Sequence, residues 1–124
     1  MIAAARRAAP QEACGLLLGR GRRVDSFART ANVAADPCRQ FEIDPVALLA
    51  ACRAEREGGP ELIGYFHSHP AGPPRPSATD EAQAARDGRV WAIGTPQGDI
   101  GWFISGPRGF EPLEPPPVPG SPEN

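Results

Sequence analysis

The chain has no lysine: all 13 basic residues among its 124 are arginines. That absence excludes a Schiff-base nucleophile, a phosphate-cradling P-loop lysine and a Ser–Lys pair. Histidine is nearly as scarce, with two, and cysteine follows with three. Cys14, Cys38 and Cys52 form no CxxC pair, and three thiols cannot all pair within one chain. They read as reduced thiols of a reducing compartment, with Cys14, set in an apolar run, a buried and inert one. Long hydrophobic runs are missing, so no segment is a candidate membrane span. A strong excess of either charge is missing as well. The net charge is −2 with no basic run, which argues against broad electrostatic binding to nucleic acid or an anionic membrane. Met1–Pro10 places Arg6 and Arg7 after its apolar residues, the reverse of a secretory leader, so a cytoplasmic location is expected.

What is present suits one modest domain. An apolar fraction of 40% fits a globular core, and 16 prolines with 14 glycines imply many turns. Residues 1–10 are alanine-rich and predict a short helix ended near Pro10. Ala13–Leu18 reads as a buried strand before Gly19-Arg20-Gly21, and Val24–Ala31 as its hairpin partner. A loop at 32–40 precedes an extended piece at Phe41–Ile43. Asp44-Pro45 starts a helix, with Asp44 as N-cap and Pro45 in the first helical position. Val46, Leu49 and Cys52 or Arg53 fall near one face of it, and Gly58-Gly59-Pro60 stops it. Leu62–His69 is a strand, Pro70–Pro76 an irregular loop, and Ser77–Asp87 a helix ended by Gly88. Val90–Thr95 and Ile100–Ser105 read as strands joined by Pro96-Gln97-Gly98-Asp99, with a last short strand at Phe110–Leu113. From Glu114, five prolines among eleven residues predict a disordered tail. The expected organisation is a domain over 1–113 and a Pro-rich tail over 114–124. The class is α/β (α+β mixed), one mixed β-sheet flanked by helices in an order the sequence leaves open.

Both histidines lie in one strand, two residues apart. Side chains at i and i+2 share a face, so His67 and His69 can chelate one metal from a rigid support. Asp80, after the stiff loop, can supply a carboxylate. Two His and one carboxylate with a free fourth position is the pattern of a catalytic zinc site. Ser77-Ala78-Thr79-Asp80 also fits a helix capping box, so Asp80 stays open between ligand and cap, and Ser77 can serve both as cap and as donor. Ser68 faces the other way and supports the strand. On the residues alone, nothing selects Glu12 over Glu42, Glu55, Glu61 or Glu81.

His67-Ser68-His69-Pro70, the run to Pro76, and Ser77-Ala78-Thr79-Asp80 together resemble the zinc signature of the JAMM (MPN-plus, JAB domain) metalloproteases. Pro10-Gln11-Glu12-Ala13-Cys14-Gly15-Leu16-Leu17-Leu18-Gly19 resembles the family's glutamate-bearing first strand, and the likeness runs from about residue 8 to 105. The resemblance implies a JAB/MPN fold of cytidine-deaminase-like architecture and one zinc ion on His67, His69 and Asp80. It implies Glu12 as general base and then acid, and Ser77 as a second catalytic residue beside the oxyanion. The compact prokaryotic type further implies hydrolysis at the C-terminus of ubiquitin-like or sulfur-carrier proteins, after Gly-Gly, with no nucleic-acid or membrane partner and with a homodimer allowed. The alternatives are a non-catalytic MPN scaffold, disfavoured by the complete ligand set, and a DNA-repair-associated relative, disfavoured by the lack of basic, helical extra sequence. A zinc deaminase needs His-x-Glu and Pro-Cys-x-x-Cys, and neither occurs.

Overall fold

The computed structural model describes residues 1–118. β1 (Cys14–Arg20) and β2 (Arg23–Thr30) form an antiparallel hairpin. Its turn places Gly21 and Arg22 at φ of 57° and 71°, the left-handed pair a two-residue hairpin needs, and glycine supplies one of them without strain. β3 (Glu61–Ser68) lies antiparallel on the other side of β1, and β4 (Val90–Gly94) runs parallel to β3. β5 (Ile100–Gly106) and β6 (Gly109–Pro112) complete a six-stranded mixed sheet in the order β2-β1-β3-β4-β5-β6.

Both faces of this sheet are covered, which explains why β1 and β4 read as nearly continuous apolar runs rather than alternating ones. On one face, Leu17 and Phe66 pack with Ala4 of α1 (Ile2–Ala8) and with Val24, Val90 and Ala92. On the other, Cys14, Leu16, Ile43 and Leu62 pack under Leu48, Ala51 and Cys52 of α2 (Pro45–Arg56). Asp44 caps α2 as expected, its carboxylate accepting from the Val46 N–H at 3.0 Å.

Three details depart from the sequence reading. The inward stripe of α2 is Leu48, Ala51 and Cys52, while Val46 and Leu49 are 74% and 68% exposed. The face that meets Cys14, Leu16, Ile43 and Leu62 is the one that carries Leu48, Ala51 and Cys52. α3 covers only Ala78–Gln83 rather than continuing to Asp87. After it, Ala84 turns extended, the Arg86 N–H donates to Ser105 Oγ at 3.0 Å, and the Gly88 N–H donates to the Ser105 carbonyl at 2.9 Å. Tertiary bonds to β5 thus replace the last helical turn. His69 falls just past β3, yet its N–H donates to the Gly94 carbonyl at 2.8 Å and prolongs the β3–β4 ladder by one step. Of the Pro-rich end, the Pro117 carbonyl accepts from the Val24 N–H at 2.6 Å, and residues 119–124 lie outside the described residues.

Candidate metal centre

The register of the two central strands decides which residues meet. Cys14 pairs with His67 across β1 and β3, so Glu12, just before β1, faces the point where β3 ends. Ser68 locks that register: its Oγ accepts from the Ala13 N–H at 2.8 Å, and its own N–H donates to the Ala13 carbonyl at 3.0 Å. It is fully buried and faces away from the histidines, which is the strand-supporting role read from its position.

His67 and His69 turn toward Asp80 at the start of α3. Their Nε2 atoms lie 3.2 Å apart, and each lies 3.1 Å from Asp80 Oδ2. These are three potential ligand atoms in a near-equilateral triangle, all from buried residues. Around a tetrahedral zinc with bonds of about 2.0–2.1 Å, neighbouring ligand atoms stand about 3.3 Å apart. The donor set and its spacing therefore fit such an ion. Asp80 is also the N3 residue of a formed capping box: Ser77 Oγ accepts from the Asp80 N–H at 3.1 Å, while Asp80 Oδ2 accepts from the Ser77 N–H at 2.9 Å. The cap and the triangle use the same carboxylate oxygen, so capping is compatible with a ligand role for Asp80 and fixes where that oxygen points.

The loop from Pro70 to Pro76 is seated by glycine. A β-carbon at Gly101 of β5 would collide with the Pro74 carbonyl oxygen, so only glycine lets this loop approach the sheet. The seated loop fixes His69, whose Nδ1 lies 2.8 Å from the Pro73 carbonyl. A ligating imidazole held at its other nitrogen has its tautomer and orientation set. His67 is held instead by aromatics. Phe41 stacks on it at 4.3 Å between centroids, and Trp91 meets it edge-on at 5.4 Å.

Electrostatics follow from burial and proximity. Burial works against the charged Asp80 carboxylate, but its bonds to the two imidazoles outweigh this and hold it well below the usual carboxylate range. Burial pushes His67 down, toward the neutral form a ligand requires. Glu12 has no comparable partner. It is 6% exposed, its Oε1 is buried without a hydrogen bond, and burial followed by the Asp80 charge pushes it from 4.5 up to about 7. It lines a cavity of about 450 Å³ together with His69 and Ser77. All five residues singled out in the sequence are thus brought to one end of the sheet.

One organiser carried little sequence signal. Asn32 Nδ2 donates to the carbonyls of Glu12 at 2.9 Å and Gln40 at 3.0 Å, and its Oδ1 accepts from the Ala34 and Glu42 N–H groups at 3.1 Å each. The Glu12 N–H donates to the Pro37 carbonyl at 2.7 Å. Loop 32–43 is thereby tied to the backbone of Glu12, which also delivers Phe41 to His67. The only sequence hint was an Asn opening a loop.

Known proteins resemble this chain in both sequence and fold. The family of prokaryotic homologs of the JAB domain matches residues 1–105. The chain belongs to that family. A desampylase of Haloferax volcanii is 40% identical over 96 residues, covering 72% of this chain and 66% of its own length. A protein of Thermus thermophilus, named as a probable TtuB-protein conjugate cleaving protease, is 41% identical over 78 residues, covering 63% of this chain and 52% of its own length. The matched stretches thus span between half and two thirds of these two relatives. A solution structure from Desulfitobacterium hafniense superposes with a TM-score of 0.80 at 34% identity, covering 98% of this chain and 87% of that one. A JAB1/MPN domain protein from Archaeoglobus fulgidus shares the fold, with a TM-score of 0.62 at 22% identity and coverage of 97% and 91%. No helix among the described residues is long and apolar enough to cross a membrane.

Proposed function

We propose that this chain is a zinc metalloprotease that hydrolyses amide or isopeptide bonds after Gly-Gly, at the C-terminus of ubiquitin-like or sulfur-carrier proteins. One observation carries the reading: a three-atom ligand triangle stands beside a cavity that a buried, unpartnered carboxylate also lines. The names of the two relatives, a desampylase and a conjugate cleaving protease, support the substrate class.

His67, His69 and Asp80 would hold the metal. When bound, zinc supplies a Lewis acid and a water acidified to a pKa of about 7. Glu12 accepts the proton of the attacking water and passes it to the departing amine, base first and acid second. An acidity near neutrality suits both tasks, and burial is what places it there. The Ser77 hydroxyl donates to the developing oxyanion, while the Ser77 backbone N–H keeps Asp80 aimed. Phe41 and Trp91 keep water from the far side of His67. The three free thiols suit a cytoplasmic setting.

The test offers sulfur-carrier and ubiquitin fusions to the purified chain, with and without chelator. Cleavage after Gly-Gly, abolished by chelation and restored by zinc, is expected. Binding of a fusion by the zinc-loaded protein without any cleavage would overturn the reading in favour of a scaffold.

A further inference from the structure

Two cavities flank the metal centre, and they carry opposite charge. The mouth, which Glu12, His69 and Ser77 line, is bordered by Arg39 and Arg75. Arg39 is 85% exposed and its one ion pair is a loose 3.9 Å contact to Asp36, while Arg75 has no ion-pair partner among the described residues. An exposed contact of that length holds an arginine weakly, so both guanidinium groups are available to a ligand. Phe41 and Trp91, the two rings that pack on His67, also line a groove of about 430 Å³ that Leu48 and Tyr65 make apolar. Its charged lining residues are Glu42 and Asp87, and no arginine lines it.

The polarity of the two cavities can be matched to the two halves of an amide substrate; this step rests on the proposed hydrolysis. In that reaction the water oxygen bonds to the carbonyl carbon and the C–N bond breaks. The proton that Glu12 took from the water goes to the amine nitrogen. Of the cavities Glu12 lines, the mouth is the one that His69 and Ser77 share, so the departing amine would stand there, beside Arg39 and Arg75. The acyl tail would then run along the apolar, acidic groove.

We propose that Arg39 and Arg75 select substrates whose leaving amine carries a carboxylate close by. That carboxylate has two chemical sources. It is an acidic side chain flanking a conjugated lysine, or the α-carboxylate of a small leaving amino acid or peptide. Arginine's planar fork suits either.

The experiment compares four leaving groups on one Gly-Gly-terminated carrier: a lysine in a neutral peptide, the same lysine flanked by Asp and Glu, an amino acid with a free α-carboxylate, and its carboxamide. The zinc-loaded wild type is expected to favour at least one carboxylate-bearing member over its neutral counterpart by about twofold to fivefold in kcat/KM. Which pair shows the preference identifies the source. The Arg39→Glu/Arg75→Glu double variant is expected to bring that ratio to about one or invert it. Salt is expected to shrink it. Ratios near one in the wild type, or unchanged in the double variant, overturn the proposal. A second readout needs no turnover: binding of the free acidic and neutral leaving peptides to metal-free protein, measured by calorimetry. Preference for the acidic peptide that vanishes in the double variant supports the proposal, and equal binding overturns it. Absence of all cleavage together with a retained binding preference would sink the hydrolytic reading and leave the arginine site standing.

Discussion

The ligand triangle and Glu12 meet at one end of the sheet but are treated oppositely by the fold. The ligand atoms of His67, His69 and Asp80 meet one another at 3.1–3.2 Å, and the Ser77 N–H adds a further bond to the shared oxygen, although His67 Nδ1 is buried without a partner. Glu12 is buried at a comparable depth, yet its Oε1 has no partner. The folded state stabilises the charged form of Asp80 and destabilises that of Glu12. Under the proposed function, this contrast separates groups that hold a metal still from one that exchanges a proton. A binding site is made from ligand atoms brought together on one point, and a proton carrier from a carboxylate left poised.

The largest effect is expected from breaking the triangle. His67→Ala or Asp80→Ala should abolish zinc uptake by metal analysis and lower turnover by about a thousandfold or more. Glu12→Gln comes next: zinc content stays at the wild-type level while kcat falls by about 10²–10⁴-fold. The same substitution sharpens the comparison through stability. The folded-state pKa of Glu12 is raised, so its contribution is fully favourable below about 4.5 and is lost as pH rises through about 7. Metal-free Glu12→Gln should therefore melt increasingly above the wild type as pH goes from 5 to about 8. Curves that stay parallel would remove the claim that this carboxyl is destabilised by burial. For Asp80 the sign reverses. Its folded pKa is depressed, so the stability it brings is present above its unfolded value of about 3.9 and is lost as acid titrates it.

Smaller losses are expected from the residues that aim these groups. Ser77→Ala removes both the cap and the proposed oxyanion donor, lowering kcat by about 10²-fold and stability by about 1 kcal/mol. Ser68→Ala leaves the buried Ala13 N–H without its acceptor. It should cost about 1–3 kcal/mol in chemical denaturation, with activity falling only as far as the Glu12 position loosens.

How far each part could be read from the sequence follows from chain distance. His67, His69, Ser77 and Asp80 lie within 14 consecutive residues, where strand parity and cap chemistry are local rules, so the candidate ligand set and the cap at Ser77–Asp80 are visible early. Glu12 reaches the site only through the β1–β3 register, a contact 55 residues apart in the chain at Ala13–Ser68. No local pattern encodes it, and the family resemblance alone singles it out. Asn32 and Phe41 likewise act through a loop whose path is set by tertiary bonds. The overlong helix expected at Ser77–Asp87 has the same origin: Ala-rich composition favours continuing it, and Ser105 ends it from another strand.

The strand directions carry a practical consequence for anyone handling this protein. The ligands, Glu12 and the turn at Pro96–Asp99 gather at one end of the sheet, whereas the Gly21-Arg22 and Pro107-Arg108 turns close the opposite end. A fluorescent label, an affinity tag or a tether grafted at those far turns is insulated from the chemistry by the length of a strand. Guest sequences there should report on or immobilise the protein without muting it.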